Sequence, residues 1–246
     1  DAIVATGTTG EASTMTDEEQ LDVIKCIVDT VNKRIPVIAG ASTNDTRHSL
    51  SLAKGAQDMG ADALLIITPY YNKANRTGLK AHFKAIADAV DLPIILYNVP
   101  SRTGVNIAPD LVAELANECK NIVAIKEASG DIAQVAEVAR LVPDDFAIYS
   151  GNDDSITPLL SLGGSGVISV LANVCPQQTH DLVAKFLDGD VKGSCKIQLE
   201  LKALIDALFI EVNPVPVKTA LNLLGFEVGH LRLPLGEMNP KNLEVL

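Results

Sequence analysis

The sequence has no cysteine pair at C-x-x-C spacing, no H-E-x-x-H and no cluster of Cys with His. Its four cysteines, Cys26, Cys119, Cys175 and Cys195, stand far apart, and its four histidines are isolated. That dispersion argues against a metal site built by the protein, and so against metal-dependent aldol chemistry; buried free thiols are expected instead. No apolar run approaches the roughly 20 residues that cross a bilayer, and the opening Asp1-Ala2-Ile3-Val4 lacks the basic stretch of a signal peptide. A soluble, cytoplasmic protein with no membrane partner is expected. Clustered Lys and Arg are missing too: 20 basic residues face 31 acidic ones, a net charge of −11, which does not suit nucleic acid. Such a field repels anions, so an anionic substrate must be recruited by local positive charge.

What is present is a chain of 246 residues, 47% hydrophobic and without a Pro- or Ser-rich break, enough for one main domain with one large core. Short apolar, β-branched runs alternate with stretches of helical period, the pattern of parallel βαβ units. Seven strands are predicted: Asp1 to Ala5, Val37 to Ala41, Ala63 to Thr68, Pro93 to Tyr97, Ile122 to Lys126, Ala147 to Ser150 and Gly166 to Val170. Asp17 to Asn32 reads as a helix, with Leu21, Ile24, Val28 and Val31 on one face and Asp17 and Glu18 at its start.

A doubly wound sheet would show a glycine-rich dinucleotide turn after its first strand, and none is there. The expectation is a (β/α)8 TIM barrel of which a first strand and helix, about 40 residues, are not included; an unclosed barrel would expose strand edges. From Val183 to Leu224 the pattern is almost continuously helical, broken at Gly189 and at Asn213-Pro214-Val215-Pro216. We therefore expect a catalytic barrel over residues 1–188 and a C-terminal helical extension over 189–246, a frequent place for oligomer contacts. Further barrel helices with a kink are the alternative.

Active sites of parallel barrels lie at the C-terminal ends of the strands. Thr8 and Thr9, Tyr70 and Tyr71, Tyr97 and Arg102, Lys126, and Asn152-Asp153-Asp154 follow successive predicted strands. Lys126 is the sharpest signal, because it ends the apolar run Ile122-Val123-Ala124-Ile125 and core-facing strand lysines are rare. Only a free amine attacks a carbonyl, and burial lowers a lysine's pKa from about 10.4; a rim lysine reaching for water is the bland alternative. Val123-Ala124-Ile125-Lys126 also matches the kinase strand lysine, but no glycine-rich loop precedes it and no H-R-D or D-F-G follows. Imine and enamine chemistry needs several proton transfers, which Tyr97 and Thr8 can relay; a tyrosine hydroxyl satisfying backbone is the structural alternative. The amides of Gly7-Thr8-Thr9-Gly10, backed by a helix N-terminus, can hold a carboxylate, or serve only as a connection. Arg102 can grip a carboxylate in two-point fashion, although rim arginines are usually just solvated. Gly163-Gly164-Ser165-Gly166 precedes a strand and reads as a permissive turn rather than a phosphate cradle.

Together, Gly7-Thr8-Thr9-Gly10-Glu11, Thr68-Pro69-Tyr70-Tyr71-Asn72, Tyr97-Asn98-Val99-Pro100-Ser101-Arg102-Thr103-Gly104, Lys126-Glu127-Ala128-Ser129-Gly130, Gly166-Val167-Ile168-Ser169-Val170 and Asn213-Pro214-Val215-Pro216-Val217-Lys218 resemble the dihydrodipicolinate synthase family. That family belongs to the pyruvate-dependent, class I aldolase superfamily that includes N-acetylneuraminate lyase, and the resemblance runs the length of the chain. It implies a cofactor-free reaction in which pyruvate condenses with Lys126 and the enamine adds to L-aspartate 4-semialdehyde. The product is 4-hydroxy-tetrahydrodipicolinate, on the route to diaminopimelate and lysine.

The resemblance further implies that Tyr97 is the central acid/base, linked through Thr8 to Tyr71 from a neighbouring subunit, so that the relay needs a dimer at least; homotetramers, dimers of dimers, are common in the family. Thr9, Gly151 and Ile168 become substrate-binding residues and Arg102 the holder of the aldehyde's carboxylate. Sialic acid lyases usually lack that arginine and tend to have serine then threonine in the Thr8-Thr9 turn. Asn44 and Tyr70 match the family's effector pocket, but Asp17, Gln20 and His48 stand where lysine-inhibited members often carry histidines and a glutamate. Weak or absent lysine feedback is therefore expected. Another 2-keto acid aldolase and a non-catalytic barrel that binds a small acid are the other readings.

Overall fold

A computed structural model describes all residues, 1–246. Seven strands form one all-parallel sheet in sequence order: β1 (Ile3–Ala5), β2 (Val37–Gly40), β3 (Ala63–Ile67), β4 (Ile94–Asn98), β5 (Ile122–Glu127), β6 (Ala147–Ser150) and β7 (Gly166–Val167). All seven predicted strands are present, the last three residues shorter than expected because Val170 leads instead into a 3-10 turn, Leu171–Asn173. Helices α1 (Asp17–Val31), α2 (Thr46–Asp58), α3 (Arg76–Ala87), α4 (Pro100–Thr103), α5 (Pro109–Glu118), α6 (Ile132–Leu141), α7 (Ile156–Leu160) and α8 (Pro176–Leu187) alternate with the strands. Then come α9 (Val191–Glu200), α10 (Lys202–Leu208), α11 (Val215–Leu223) and α12 (Pro240–Leu243), with breaks near Gly189 and Asn213-Pro214 as the sequence suggested.

Local chemistry explains the helix ends. Thr16 and Glu19 close a reciprocal capping box on α1, whose first turn carries Asp17, Glu18 and Glu19 against the positive end of the helix dipole. Asp45, Asn75 and Asp131 cap α2, α3 and α6 through their side-chain oxygens.

Strand side chains alternate between two cores. Facing the helices, Leu64, Ile66, Ile94, Leu96, Ile122, Ile125 and Ile148 pack with Ile24, Phe83, Leu111 and Leu115. Facing the other way, Leu65, Ile95, Tyr97, Ala124 and Ala128 form a smaller cluster with Val4, Ile38, Tyr149 and Ile168 at its margin. Residues from every strand between β1 and β7 line one cavity of about 1490 Å³, so the sheet curls around it.

One irregularity decides which core Lys126 joins. The β4–β5 register runs Ile94↔Ile122 and then Ile95↔Ala124, so β5 carries one extra residue, Val123, at a bulge. Strict alternation from Ile122 would turn Lys126 towards the helices. After the bulge, Lys126 pairs with Tyr97 on the cavity side and Glu127 with Asn98 on the helix side.

The thiols correct one expectation. All four are free, but only Cys119 is buried; Cys175 and Cys195 are half-buried and Cys26 is exposed, because it lies on the outward face of α1. No helix is long and apolar enough to cross a membrane.

Candidate active site

Thr8, Thr9, Tyr97, Arg102, Lys126, Gly151 and Ile168 all line the central cavity, although they come from six different stretches of chain. Parallel strands bring this about, because each one ends at the same mouth. The Lys126 side chain is half-buried, and its Nζ lies 4.2 Å from the centroid of the Tyr97 ring, over its face. Tyr97 is 7% exposed, so the ring is a fixed wall on which the amine rests.

The floor beneath the amine is glycine by necessity. A Cβ on Gly151 would stand 2.6 Å from Ala128 Cβ and 3.1 Å from Lys126 Cε. The backbone N–H of Gly151 donates to Glu127 O at 2.7 Å, drawing the start of this loop close to β5.

On the opposite wall, Thr8–Gly10 forms a 3-10 turn. The helix expected behind it begins at Asp17, where the sequence placed it, but does not follow the turn directly. A second 3-10 turn, Ala12–Thr14, intervenes, and α1 starts only at Asp17, so any anion at Thr8 and Thr9 meets turn amides rather than a helix dipole. Glu11, left-handed at φ 56°, joins the two turns. Its carboxylate is buried and accepts from Lys218 Nζ at 2.5 Å and from Arg232 N–H at 2.7 Å. Burial alone would raise the Glu11 pKa, yet those donors and the Lys218 and Arg232 charges hold it below the usual carboxylate range. Neither Glu11 nor Lys218 stands out by residue type, although both lie inside the motifs that carry the family resemblance.

The segment before α11 closes over this mouth. Asn213 Nδ2 donates to Thr9 Oγ1 at 3.1 Å, and Arg102 Nη2 donates to Asn213 O at 3.0 Å. Arg102 is otherwise exposed and lines the cavity.

Two carboxylates near the amine are buried; the sequence placed Asp153 at a strand end and Glu127 inside a motif, but gave neither a role. Asp153, 2% exposed, accepts from the N–H groups of Val170 and Leu171 through Oδ2 at 3.0 and 2.9 Å, while its Oδ1 has no partner. Burial pushes its pKa up, against the Ser169 hydroxyl, those two donors and the Lys126 charge. Glu127 lies on the helix side, 3% exposed, next to Lys126 in sequence.

Three of the expected residues are not in this cavity. Tyr71 is 89% exposed, at φ 72°, on a turn that projects from the molecule. Tyr70 and Asn44 lie in the neighbouring turns, joined where Asn72 Nδ2 donates to Asn44 O at 2.8 Å. Beside them, His48 Nε2 and Asp17 Oδ1 are 2.7 Å apart. No group of three or more His, Cys, Asp or Glu is gathered in metal-binding geometry.

A cavity at the strand ends of a parallel α/β sheet, with a lysine resting on a tyrosine ring, is the arrangement that a lyase working through a lysine imine needs. The profile of the dihydrodipicolinate synthetase family matches residues 1–246, and the chain belongs to that family. It is 59% identical, over all of its length and 83% of the relative's, to a 4-hydroxy-tetrahydrodipicolinate synthase from Acetivibrio thermocellus. Among solved structures, dihydrodipicolinate synthase from Thermotoga maritima superposes with a TM-score of 0.97 at 44% identity, over 98% of this chain and 83% of the other. A monomeric dihydrodipicolinate synthase variant superposes with a TM-score of 0.98 at 44% identity, over 100% and 83%.

Proposed function

We infer that the chain is a class I lyase that carries out the reaction for which its relatives are named: pyruvate condenses with L-aspartate 4-semialdehyde to give 4-hydroxy-tetrahydrodipicolinate, in lysine and diaminopimelate biosynthesis. The observation that carries this reading is the Lys126 amine held 4.2 Å from the Tyr97 ring centroid inside a cavity that also presents Thr8, Thr9 and Arg102.

Pyruvate's carboxylate sits against the Thr8-Thr9 turn, and its keto carbon faces Lys126. The free amine attacks that carbon, water leaves, and an imine forms. Loss of a methyl proton gives the enamine, whose terminal carbon adds to the aldehyde carbon of the second substrate. The second substrate's amine then displaces Lys126 from the imine carbon, which closes the ring and returns the lysine. Tyr97 carries the protons, with Thr8 as its relay. Arg102 holds the semialdehyde's carboxylate, already oriented by its bond to Asn213 O. Gly151 and Ile168 shape the pocket, and Asp153 keeps the turn after β7 in place.

Tyr71 completes the relay from a neighbouring subunit in a homo-oligomer, a dimer of dimers. A tyrosine 89% exposed and held in the left-handed region is an expensive conformation for a residue with nothing to meet. The seven strands are read as part of a (β/α)8 barrel whose remaining unit belongs between β7 and β1. Residues 1–188 are then the catalytic barrel and 189–246 its helical extension, in a cytoplasmic enzyme. Asn44 and Tyr70 mark a remnant effector pocket.

Borohydride reduction with pyruvate, followed by peptide mapping, tests the chemistry. A pyruvyl adduct is expected on Lys126; none, or one on a different lysine, removes the mechanism.

A further inference from the structure

The mouth ends of β4 and β5 present two residue pairs back to back. Tyr97 partners Lys126 on the cavity side, and the next pair, Asn98 with Glu127, faces the helices. Glu127 is almost wholly buried, yet no cation touches it. Neutral donors hold it alone: Asn98 Nδ2 at 3.1 Å from Oε1 and 3.0 Å from Oε2, the Ser129 N–H at 2.7 Å from Oε1, and Gln134 Nε2 at 3.0 Å from Oε2. A carboxylate buried without a counter-ion is costly, and an apolar side chain would pack this face more cheaply.

The network reaches the stretches that carry Arg102, Lys126 and Gly151. Asn98 Oδ1 accepts from the Ile107 N–H at 3.0 Å, which fixes the stretch leaving α4, and α4 carries Arg102. Asn98 O accepts from the Ala128 N–H at 2.9 Å, and Glu127 O from the Gly151 N–H at 2.7 Å. The ends of β4, β5 and β6 are thereby tied together one residue behind the Tyr97–Lys126 pair.

We propose that Glu127 is a positioning residue for the imine chemistry: its carboxylate, bonded to Asn98, Ser129 and Gln134, clamps the ends of β4 and β5 and so fixes the Lys126 amine over the Tyr97 ring. The proposal rests on the reading of Lys126 as the imine-forming lysine. Charge-assisted bonds suit the task because they are shorter and stronger than neutral ones.

An amide cannot replace the carboxylate here. Both Glu127 oxygens face N–H donors, so a glutamine directs its own NH₂ at one of them whichever way it turns. If Gln134 flips to accept, the conflict passes to Asn106, whose Oδ1 accepts from Asn98 Nδ2 at 2.7 Å and from Gln134 Nε2 at 3.1 Å. Asn98 is already fixed by Ile107 and has no room to yield. Exchanging the two groups relieves the conflict at Glu127: in Glu127→Gln with Gln134→Glu, the new amide donates to the new carboxylate, which also accepts from Asn106 Nδ2, and only the approach to Asn106 Oδ1, still held by Asn98 Nδ2, is left without a donor.

The experiment compares wild type, E127Q, E127Q/Q134E and Q134A by steady-state kinetics, by thermal melting and by counting borohydride-trapped pyruvyl adducts per chain. E127Q should lower kcat per trapped site by about 10- to 100-fold, as expected for a misplaced reacting group, while KM for pyruvate moves less than about 3-fold. The exchanged pair should recover part of the lost kcat, at least about 3-fold over E127Q. Q134A removes one donor at the half-exposed end, so it remains folded even if E127Q does not, and should lower kcat by about 2- to 5-fold. Wild-type kcat per site in E127Q or in Q134A overturns the proposal, as does an exchanged pair that regains the melting temperature without regaining kcat. Wild type with no adduct on Lys126 is a different failure, of the imine reading and everything resting on it.

Discussion

Gly151→Ala offers a sharp perturbation of the site, because it adds one methyl group where the structure has no room. Neither a positive φ nor a missing donor is involved, so the change acts through volume alone. The new Cβ would lie 2.6 Å from Ala128 Cβ, 3.1 Å from Lys126 Cε and 3.2 Å from Glu127 O, against an ordinary contact of 3.4–4 Å. Relieving the first contact requires β5 and the β6 loop to part by about 1 Å, and Lys126 must follow. Overpacking of this kind costs about 1–3 kcal/mol, which for a chain of this size lowers Tm by roughly 2–12 °C. A 1 Å misplacement of a reacting group costs up to about 100-fold in rate. The expected outcome is a folded protein whose kcat/KM and rate of borohydride trapping with pyruvate both fall about 10- to 100-fold. Gly236→Ala, where an added Cβ meets nothing within 4 Å, is the control. Wild-type trapping at Lys126 in folded Gly151→Ala would refute the claim that this glycine sets the amine's position.

Arg102→Leu should raise KM for the semialdehyde about 10-fold or more while KM for pyruvate stays near its wild-type value, since only the second substrate's carboxylate is assigned to it; equal effects on both, read in steady-state kinetics, would reject that assignment. His82 is buried against Thr46, and burial lowers its pKa from 6.5 to about 4. The unfolded chain therefore takes up this proton first, so stability is unaffected above pH 6.5 and falls between there and pH 4, by up to about 3 kcal/mol. His82→Gln should flatten that part of the curve in urea titrations, and an unchanged slope would count against it. Glu11 is held below its ordinary 4.5, so its contribution is present above that pH and disappears as pH falls through the folded-state value. Glu11→Gln should destabilise the protein at pH 7 by about 1–3 kcal/mol, with the gap to wild type closing in acid; a gap independent of pH would contradict the ion-pair account. Lysine should inhibit weakly or not at all, and inhibition at micromolar concentration would show the effector pocket to be intact.

The strands were legible because a parallel sheet with helices over it needs apolar runs, and the helix starts because their caps are local. Pairings across the chain were not. Glu11 meets Lys218, and Thr9 meets Asn213, across more than 200 residues, and nothing in residue spacing connects turns that become neighbours only when the sheet curls. Cys26 shows the limit of assigning burial by residue type, since its helix face, not its thiol, decides its exposure.

Lys126 is the instructive case, because its place at the mouth end of a strand was readable while the reason it faces the cavity was not. Ile122 packs against the helices, and a period of two would place Lys126 beside it, with Glu127 turned towards the cavity. The extra residue at Val123 reverses this and delivers the amine to Tyr97 and the carboxylate to Asn98. Had the bulge been absent, a carboxylate would occupy the mouth and an ammonium would face the Asn98, Ser129 and Gln134 N–H donors that now hold Glu127. The bulge therefore does two things at once: it turns the amine to which the nucleophilic role is assigned to one face of β5 and, on the other, the carboxylate proposed to clamp the strand ends.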